Sequence, residues 1–239
     1  MKKIIKKLLF QLGYKISKRE IPRLSEPNSL SKLDILKCIS ESKGILHIGA
    51  HKGGEANIYD FFGKDVIWVE ANPSIFKILE ENIYQYKQQQ AFNVLLGDID
   101  GKISKFYLSN NDNASSSIFK FDQNVTKQSL FPNRNLKMIN EIDLKMLTLD
   151  SLVAKNNLII NNYKHWIIDV QGAELLVLKG AEKSLKFCES LLIEISTKSI
   201  YQGGVLWNEI SEWLKQKGFY AKDNPSKFHS DILFLRRNN

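Results

Sequence analysis

The chain has 239 residues, 43% of them hydrophobic and 25% charged, a composition that suits one folded α/β domain. No apolar run approaches the ~18–20 residues that a membrane-spanning helix needs, and lysine pairs interrupt the N-terminal apolar residues, so we expect neither a transmembrane helix nor a secretory signal. The net charge of +8 is concentrated in residues 1–19, which hold seven basic residues and no acidic one.

Residues 1–30 are predicted to form a basic amphipathic helix followed by a linker that contains two prolines. One stripe of this helix carries Ile4, Ile5, Leu8, Leu9, Leu12 and Ile16. With lysines on the opposite side, the helix could lie on an anionic membrane surface, contact a protein partner, or pack on its own domain. The rest of the chain is nearly neutral and lacks a pattern of aromatic residues alternating with arginines, so no nucleic-acid partner is predicted.

Residues 31–239 are predicted to form one domain in which helices and strands alternate. The predicted strands cover residues 44–50, 65–73, 92–98, 101–110, 145–150, 165–172, 190–196, 220–224 and 231–237. The predicted helices cover residues 32–42, 55–63, 74–86, 151–157, 173–187 and 206–219, with Asp150 as a helix cap; residues 109–145 are predicted to be irregular. Continuous apolar strands joined by helices indicate a mostly parallel sheet with helices on both faces, closed by an antiparallel hairpin at one edge.

The first predicted strand ends in a loop without bulky side chains, GAHKGG at residues 49–54. In open parallel sheets, ligands bind beyond the carboxyl ends of the strands, where the strand order reverses. A glycine-rich turn at that point lets the backbone approach a ligand. We interpret Gly49, Ala50, Gly53 and Gly54 as cofactor contacts, although tight packing between a strand and a helix produces the same pattern.

Acidic residues end the next two predicted strands. Glu70, about 20 residues beyond the loop, is placed to accept hydrogen bonds from both hydroxyls of a ribose; the alternative is a solvated strand end. Asp98 could accept a hydrogen bond from an adenine amino group. The loop and the two acids together predict an adenosine site.

The glycine loop does not fit a phosphate-bearing nucleotide. Ala50 and His51 break the G-x-G-x-x-G spacing of dinucleotide-binding proteins, and the Gly-Lys-Ser/Thr ending of a P-loop is absent. S-adenosylmethionine has no phosphates and tolerates a looser loop. The pattern therefore favours this cofactor over a nicotinamide-dependent oxidoreductase, and over a non-catalytic binding module, which would not need acids at several strand ends.

Four blocks of the sequence resemble the FkbM family of S-adenosylmethionine-dependent methyltransferases. They are HIGAHKGGE, VIWVEANPSIFKILEENI, LTLDSL and WIIDVQGAELLVLKGAEKSL, followed by LLIEIS, in family order. The resemblance implies a Rossmann-like sheet of seven strands in the order 3-2-1-4-5-7-6, with the last strand antiparallel. It also implies O-methylation. We expect the acceptor to be a sugar hydroxyl in a bacterial surface glycan, with a secondary metabolite or a lipid hydroxyl as alternatives.

The resemblance also implies which residues contact the cofactor. Ala71 and Asn72 follow the ribose acid in the second block, and Ser115 and Ser116 match a serine-rich stretch near the family's active site. His51 lies within the glycine loop and completes this set.

One position departs from the family pattern. His47 stands where members commonly carry an aspartate that helps to hold the methionyl ammonium group. A protonated histidine could not do this, and Glu55, on the first turn of the following helix, is the expected substitute.

Methyl transfer to a hydroxyl needs a base that removes the hydroxyl proton. Asp169, at the end of the fourth strand of the implied sheet, is the first candidate, and Glu194, at the end of the fifth, is the second. His51 is a third candidate, whereas His165 lies at the wrong end of its strand. Asp169 and Glu194 could instead bind a divalent cation such as Mg²⁺. Glu174 is expected to be a first-turn acid stabilised by the helix dipole.

Cys38 and Cys188 have no metal-like spacing and are predicted to be reduced thiols rather than a disulfide. Reduced thiols fit a cytoplasmic protein, with membrane association through residues 1–19 left open. The sequence does not predict an oligomeric state.

Overall fold

The computed structural model describes residues 27–127 and 130–237. Its strands are β1 (Gly44–Ile48), β2 (Asp65–Glu70), β3 (Gln89–Asn93), β4 (Leu95–Leu96), β5 (Ile103–Ser109), β6 (Met138–Leu147), β7 (Tyr163–Ile168), β8 (Ser190–Ser196), β9 (Phe219–Ala221) and β10 (His229–Arg236). Its α-helices are α1 (Pro27–Glu41), α2 (Ala56–Phe61), α3 (Pro73–Ile83), α4 (Gln123–Thr126), α5 (Leu149–Lys155), α6 (Glu174–Lys179) and α7 (Trp207–Gln216).

Seven strands form the main sheet in the order β3-β2-β1-β7-β8-β10-β9. Numbered along the chain within this sheet, the order is 3-2-1-4-5-7-6, and β10 is antiparallel to both neighbours. This arrangement confirms the predicted fold class and the closing hairpin. The strand order reverses between β1 and β7, so their carboxyl ends flank the expected ligand crevice.

The main sheet is covered on both faces, as the continuous apolar strands predict. All five residues of β1 are buried, and in β2 only the first is not. On one face the core includes Ile39, Tyr59 and Leu79 from α1, α2 and α3. On the other face, helices α5, α6 and α7 pack against the sheet.

A second sheet of three strands, in the order β4-β6-β5, lies beside the main sheet. It corrects two predictions. The apolar run at residues 92–98 is not one strand, because the chain leaves the main sheet after Asn93 and β4 pairs with β6 instead. Residues 138–145 are not irregular, because they belong to β6 and pair with β5.

Two helix starts differ from the sequence prediction. Helix α1 begins at Pro27, inside the predicted linker, since proline is well tolerated in the first turn of a helix. Thr148, rather than Asp150, caps α5 by accepting a hydrogen bond from the Ser151 amide, 3.1 Å away. Asp150 instead accepts hydrogen bonds from the backbone amides of residues 183 and 184, which ties α5 to the chain beyond α6.

Both cysteines are free thiols, as predicted, and Cys188 is buried. Within the described ranges, none of the helices combines the length and apolar character that crossing a membrane requires. The predicted amphipathic helix at the N-terminus lies outside the described residues.

Candidate active site

The loop after β1 meets the end of β7 at very short range. Gly49 has a φ of +82°, and a Cβ atom at this position would lie 1.7 Å from the carbonyl oxygen of Asp169. The amides of Gly49 and Ala50 both donate to the carbonyl of Val69, at 2.9 and 3.0 Å. The loop is therefore fixed against the neighbouring strands on both sides, and only glycine fits at its first position.

Glu70 ends β2 with its side chain buried beneath this loop. One carboxylate oxygen accepts a hydrogen bond from the His51 amide and the other from the Asn72 amide, each at 2.8 Å. Burial raises the pKa of Glu70, although these backbone hydrogen bonds oppose the shift. Each oxygen keeps a lone pair for a further donor, as the recognition of two ribose hydroxyls requires.

A cavity of about 210 Å³ opens at the carboxyl ends of β1, β2 and β7. Its apolar walls are Val69, Val94, Leu95, Leu96, Phe106 and Ile118, and its polar lining includes Glu70, Asn113, Ser116, Asp169 and Gln171. Gly49, His51 and Ala71 also border it. Apolar walls with a buried acid, Glu70, at the end of β2 suit the base and the ribose of a nucleoside.

Three predicted cofactor contacts have structural roles and do not border this cavity. Ala50 is buried in the core on the α2 side of the sheet. A Cβ atom at Gly53 would lie 2.6 Å from the Leu79 side chain, so this glycine allows the loop to pack on α3. The Asn72 side chain caps α3 by accepting a hydrogen bond from the Ser74 amide at 3.0 Å.

Asp98 does not lie at the tip of a main-sheet strand. It follows β4 of the second sheet and is absent from the lining of the cavity. Its Oδ1 atom is buried, and no described residue forms a hydrogen bond with it. The adenine-binding role of Asp98 therefore rests on the sequence alone.

The serine-rich stretch does reach the cavity, but through only one of the two predicted serines. Ser116 borders the cavity, and its hydroxyl accepts a hydrogen bond from the Ser109 amide at 3.1 Å. The Ser115 hydroxyl accepts a hydrogen bond from the Asn111 side chain at 2.9 Å, within the loop itself.

Asp169 and Glu194 meet at the carboxyl ends of β7 and β8 and are bridged by Gln171. The amide nitrogen of Gln171 donates to Oδ1 of Asp169 at 2.6 Å and to Oε2 of Glu194 at 2.5 Å. The hydroxyl of Tyr201 donates to the amide oxygen of Gln171. Gln171 has a left-handed φ of +57°, which turns its side chain back over the two acids.

The ionisation of Asp169 depends on its burial and on the neighbouring Glu194. Burial raises the pKa of Asp169 well above its usual range, and the adjacent charge of Glu194 raises it further. Burial disfavours the charged form of His229, but its 3.0 Å contact with Glu194 raises the histidine pKa overall. The raised pKa increases the affinity of the Asp169 carboxylate for a proton, as proton removal from a hydroxyl requires.

Sequence reasoning missed both Gln171 and His229. Gln171 lies in the quoted block WIIDVQGAE, where a polar residue directly before a glycine turn was a weak signal. His229 starts an edge strand, and nothing in its local sequence indicates that it faces Glu194.

A second cavity, of about 380 Å³, lies on the α1 and α2 side of the sheet and shares Asp169 with the first. His47 and Glu55 border this second cavity rather than the nucleoside-sized one. His47 stacks on Trp68 with a ring-centre distance of 4.8 Å, and its Nδ1 lies 3.1 Å from the Tyr59 hydroxyl. Burial lowers the pKa of His47 to about 3, so it is neutral at physiological pH.

The divalent cation that Asp169 and Glu194 could alternatively bind has no fitting ligand set in the described part of the chain. No group of three or more His, Cys, Asp or Glu side chains there could hold a metal ion. The side-chain amide nitrogen of Gln171 also donates hydrogen bonds to both Asp169 and Glu194. It therefore occupies the position between the two carboxylates that a shared cation would need. We therefore assign no step to a metal.

Glu174, the first residue of α6, should make the stability of the protein fall as pH rises. It is 2% exposed, and burial raises its pKa to about 7 from 4.5. The folded state therefore binds more protons than the unfolded state between these values, and stability is lost as pH increases through them. In Glu174→Gln, we expect the loss in free energy of unfolding between about pH 5 and pH 8 to shrink by on the order of 2–3 kcal/mol.

Urea denaturation of both proteins at the two pH values measures this difference. Asp169 titrates in both proteins, and because the charge of Glu174 also raises the pKa of Asp169, the measured difference includes this coupling. Equal losses of stability in the wild type and the variant would show that Glu174 is ionised in the folded state.

The sequence model of the family described as the methyltransferase FkbM domain matches residues 47–220, which is more than half of the chain. The search among curated proteins found no match.

Three solved structures illustrate the structural similarity, each at 10% sequence identity. A TehB-like SAM-dependent methyltransferase from Corynebacterium glutamicum aligns over 99% of this chain and 96% of its own, with a TM-score of 0.44. An rRNA methylase from Streptococcus thermophilus aligns over 90% and 99%, with a TM-score of 0.45. Magnesium protoporphyrin IX methyltransferase from Synechocystis PCC 6803 with bound SAM aligns over 99% and 97%, with a TM-score of 0.42.

Proposed function

Since the chain belongs to the FkbM family of S-adenosylmethionine-dependent methyltransferases, we propose that it methylates a hydroxyl group of a sugar in a bacterial surface glycan. The observation that carries this proposal is the position of Asp169. It forms the wall shared by the nucleoside-sized cavity and the second cavity, and its pKa is raised. A base at this point can reach an acceptor hydroxyl on one side and the methyl donor on the other.

The chain's own residues supply binding and proton removal. When bound, S-adenosylmethionine supplies a methyl group on a positively charged sulfur, which needs no further activation. Glu70 is proposed to accept hydrogen bonds from the ribose hydroxyls, while Leu95 and Phe106 pack beside the adenine ring. Asp169 accepts the proton of the attacking hydroxyl, and Gln171 holds Asp169 in place through its 2.6 Å hydrogen bond.

A sugar acceptor fits the acidic character of this region. Glu194 adjoins Asp169, and Glu55 borders the same second cavity. Carboxylates accept hydrogen bonds from neighbouring hydroxyl groups, so they can orient a polyhydroxylated ring. Lipid and secondary-metabolite hydroxyls are the alternatives that an acceptor screen must include.

Asp169→Asn should lower acceptor-dependent turnover by about 100-fold or more, because positioned bases contribute roughly that much to proton removal. A screen of nucleotide sugars and glycans, with formation of S-adenosylhomocysteine as the readout, identifies the acceptor and then measures the variant. Binding of S-adenosylhomocysteine should be retained in the variant. Glu189→Gln is the matched control, since Glu189 is exposed and pairs with Lys164 at the opposite end of the same two strands.

Two results would contradict the proposal. Turnover only with lipid or secondary-metabolite hydroxyls would remove the sugar assignment, while leaving the methyltransferase activity intact. Unchanged turnover in Asp169→Asn, with a sugar acceptor, would remove Asp169 as the base and leave Glu194 as the candidate.

A further inference from the structure

The backbone of Gln171, which bridges the two acids, is held by a serine from the second sheet. The hydroxyl of Ser117 donates to the carbonyl oxygen of Gln171 at 2.7 Å. Ser117 is fully buried and is anchored to β5, because its backbone forms hydrogen bonds in both directions with Tyr107, at 2.7 and 3.1 Å. The left-handed backbone of Gln171 is therefore tied to the second sheet as well as to β7.

The side-chain amide of Gln171 is held by Tyr201. The hydroxyl of Tyr201 contacts the amide oxygen of Gln171 and the carbonyl oxygen of Ser115, the latter at 3.2 Å. Both of these oxygens can only accept a hydrogen bond, so the hydroxyl is a donor in this position. Burial raises the pKa of Tyr201, which keeps the phenol protonated and able to donate.

The ring of Tyr201 is fixed independently of its hydroxyl. It is 5% exposed and stacks on Phe121 with a ring-centre distance of 5.3 Å. Gly172, directly after Gln171, has a φ of +99°, and a Cβ atom there would lie 3.2 Å from the Tyr201 ring. The lack of a side chain at Gly172 therefore lets the ring approach Gln171. The hydroxyl can be removed while these packing contacts of the ring remain.

The orientation of the Gln171 amide determines the environment of the acid pair, Asp169 and Glu194. With its oxygen held by Tyr201, the amide presents its nitrogen to both acids. A reversed amide would place its oxygen against two groups that, when ionised, only accept hydrogen bonds. The donated hydrogen bond favours the ionised form of Asp169, which burial and the neighbouring charge oppose.

We propose that Tyr201 and Ser117 are positioning residues of the methyltransferase, which together hold the side-chain amide of Gln171 with its nitrogen toward the acid pair. Neither Tyr201 nor Ser117 borders the nucleoside-sized cavity or the second cavity. They therefore act through Gln171 and not on the ligands themselves. Their contribution to catalysis rests on the proposed role of Asp169 as the base.

Titration of the Asp169 carboxyl carbon by NMR tests the proposal without an acceptor, and the loss of its resonance in Asp169→Asn assigns it. In Tyr201→Phe, the released amide donates less to Asp169, so the titration midpoint should move to higher pH by at least about half a unit. Gln171→Met removes the donor and should move the midpoint by about one unit or more. Ser117→Ala should shift it in the same direction.

A double variant separates positioning from a direct effect of Tyr201. In Tyr201→Phe/Gln171→Met, the shift should equal that of Gln171→Met alone, because Tyr201 acts through Gln171. Tyr163→Phe is the matched control, since it removes a tyrosine hydroxyl at the amino end of β7, and its midpoint should match the wild type. The other charged and titratable groups around the acid pair are unchanged in all of these variants; they are His47, Glu55, Glu174, His229 and Asp231.

The pH profile of acceptor-dependent turnover distinguishes failure of this inference from failure of the proposed function. Its rising limb should move to higher pH in Tyr201→Phe, while binding of S-adenosylhomocysteine stays unchanged. An unshifted carboxyl titration in both Tyr201→Phe and Ser117→Ala, even with a lower melting temperature, would overturn the positioning role and leave Asp169 as the base. Additive shifts in the double variant would also overturn it. Shifted titrations with full turnover in Asp169→Asn would instead remove the base assignment and keep the positioning of the acid pair.

Discussion

Glu70→Ala should weaken the binding of S-adenosylhomocysteine by roughly 100-fold or more. The carboxylate is buried at the end of β2, where it is proposed to accept hydrogen bonds from two ribose hydroxyls. Hydrogen bonds to a charged group contribute about 1.5–3 kcal/mol each, and each 1.4 kcal/mol is a factor of about ten in the dissociation constant. The substitution also removes the acceptor for the His51 and Asn72 amides. The loop therefore loses a stabilising contact at the same time as the ligand loses its acceptor.

Isothermal titration of the wild type and the variant measures this effect. Glu80→Ala, an exposed acid on α3, is the matched control and should bind like the wild type. NAD is the second control, because the GAHKGG loop lacks the glycine spacing that accommodates a pyrophosphate. Full affinity in Glu70→Ala would refute the ribose assignment, and tight binding of NAD would contradict the interpretation of the loop.

Hydrophobic patterning predicted the main sheet well because its strands are buried on both faces. The largely apolar sequences of β1, β2 and β7 leave few alternatives to a parallel sheet covered by helices. The first part of β6, residues 138–144, was not predicted as a strand because only one of its faces is partly buried, so charged residues interrupt its apolar ones. The alternation of Ile142, Leu144 and Met146 with Asp143 and Lys145 was nevertheless a readable signal of a half-exposed strand.

Part of the site could be predicted from the residues at the carboxyl ends of the strands, because the topology of a parallel sheet brings these ends together. Glu70 and Asp169 border one cavity because parallel strands end at the same edge of a sheet. Asp98 does not border it, because the chain changes sheets between Asn93 and Leu95. The apolar run continues through that change without a proline or glycine, so the sequence gives no sign of it.

The link between the two acids depends on contacts that no local pattern encodes. Gln171 joins Asp169 to Glu194 only because its left-handed backbone turns its side chain toward both. His229 reaches Glu194 because β10 runs antiparallel beside β8. Such contacts arise from the pairing of distant segments, which a single sequence does not reveal.

Gly49→Ala should destabilise the protein by about 4 kcal/mol or more and abolish its binding of S-adenosylhomocysteine. The φ of +82° alone disfavours any residue with a side chain, at a cost of order 1–3 kcal/mol. The new Cβ atom would also lie 1.7 Å from the carbonyl oxygen of Asp169. That oxygen belongs to the backbone directly after β7, which is hydrogen-bonded to β1 through the 3.0 Å contact between the Asp169 amide and Ile48. Neither strand can therefore move without breaking the sheet at its centre.

Gly54→Ala is the matched control, because it lies in the same loop and a Cβ atom there would meet no atom within 4 Å. Urea denaturation should show Gly54→Ala within about 0.5 kcal/mol of the wild type and Gly49→Ala strongly destabilised or insoluble. If only Gly49→Ala is destabilised, the requirement for glycine belongs to the ligand crevice. If both variants are destabilised, the loop tolerates no added side chain at either position. A stable Gly49→Ala protein that binds S-adenosylhomocysteine normally would mean that the loop and β7 are further apart than described, and the wall formed by Asp169 would have to be reassigned.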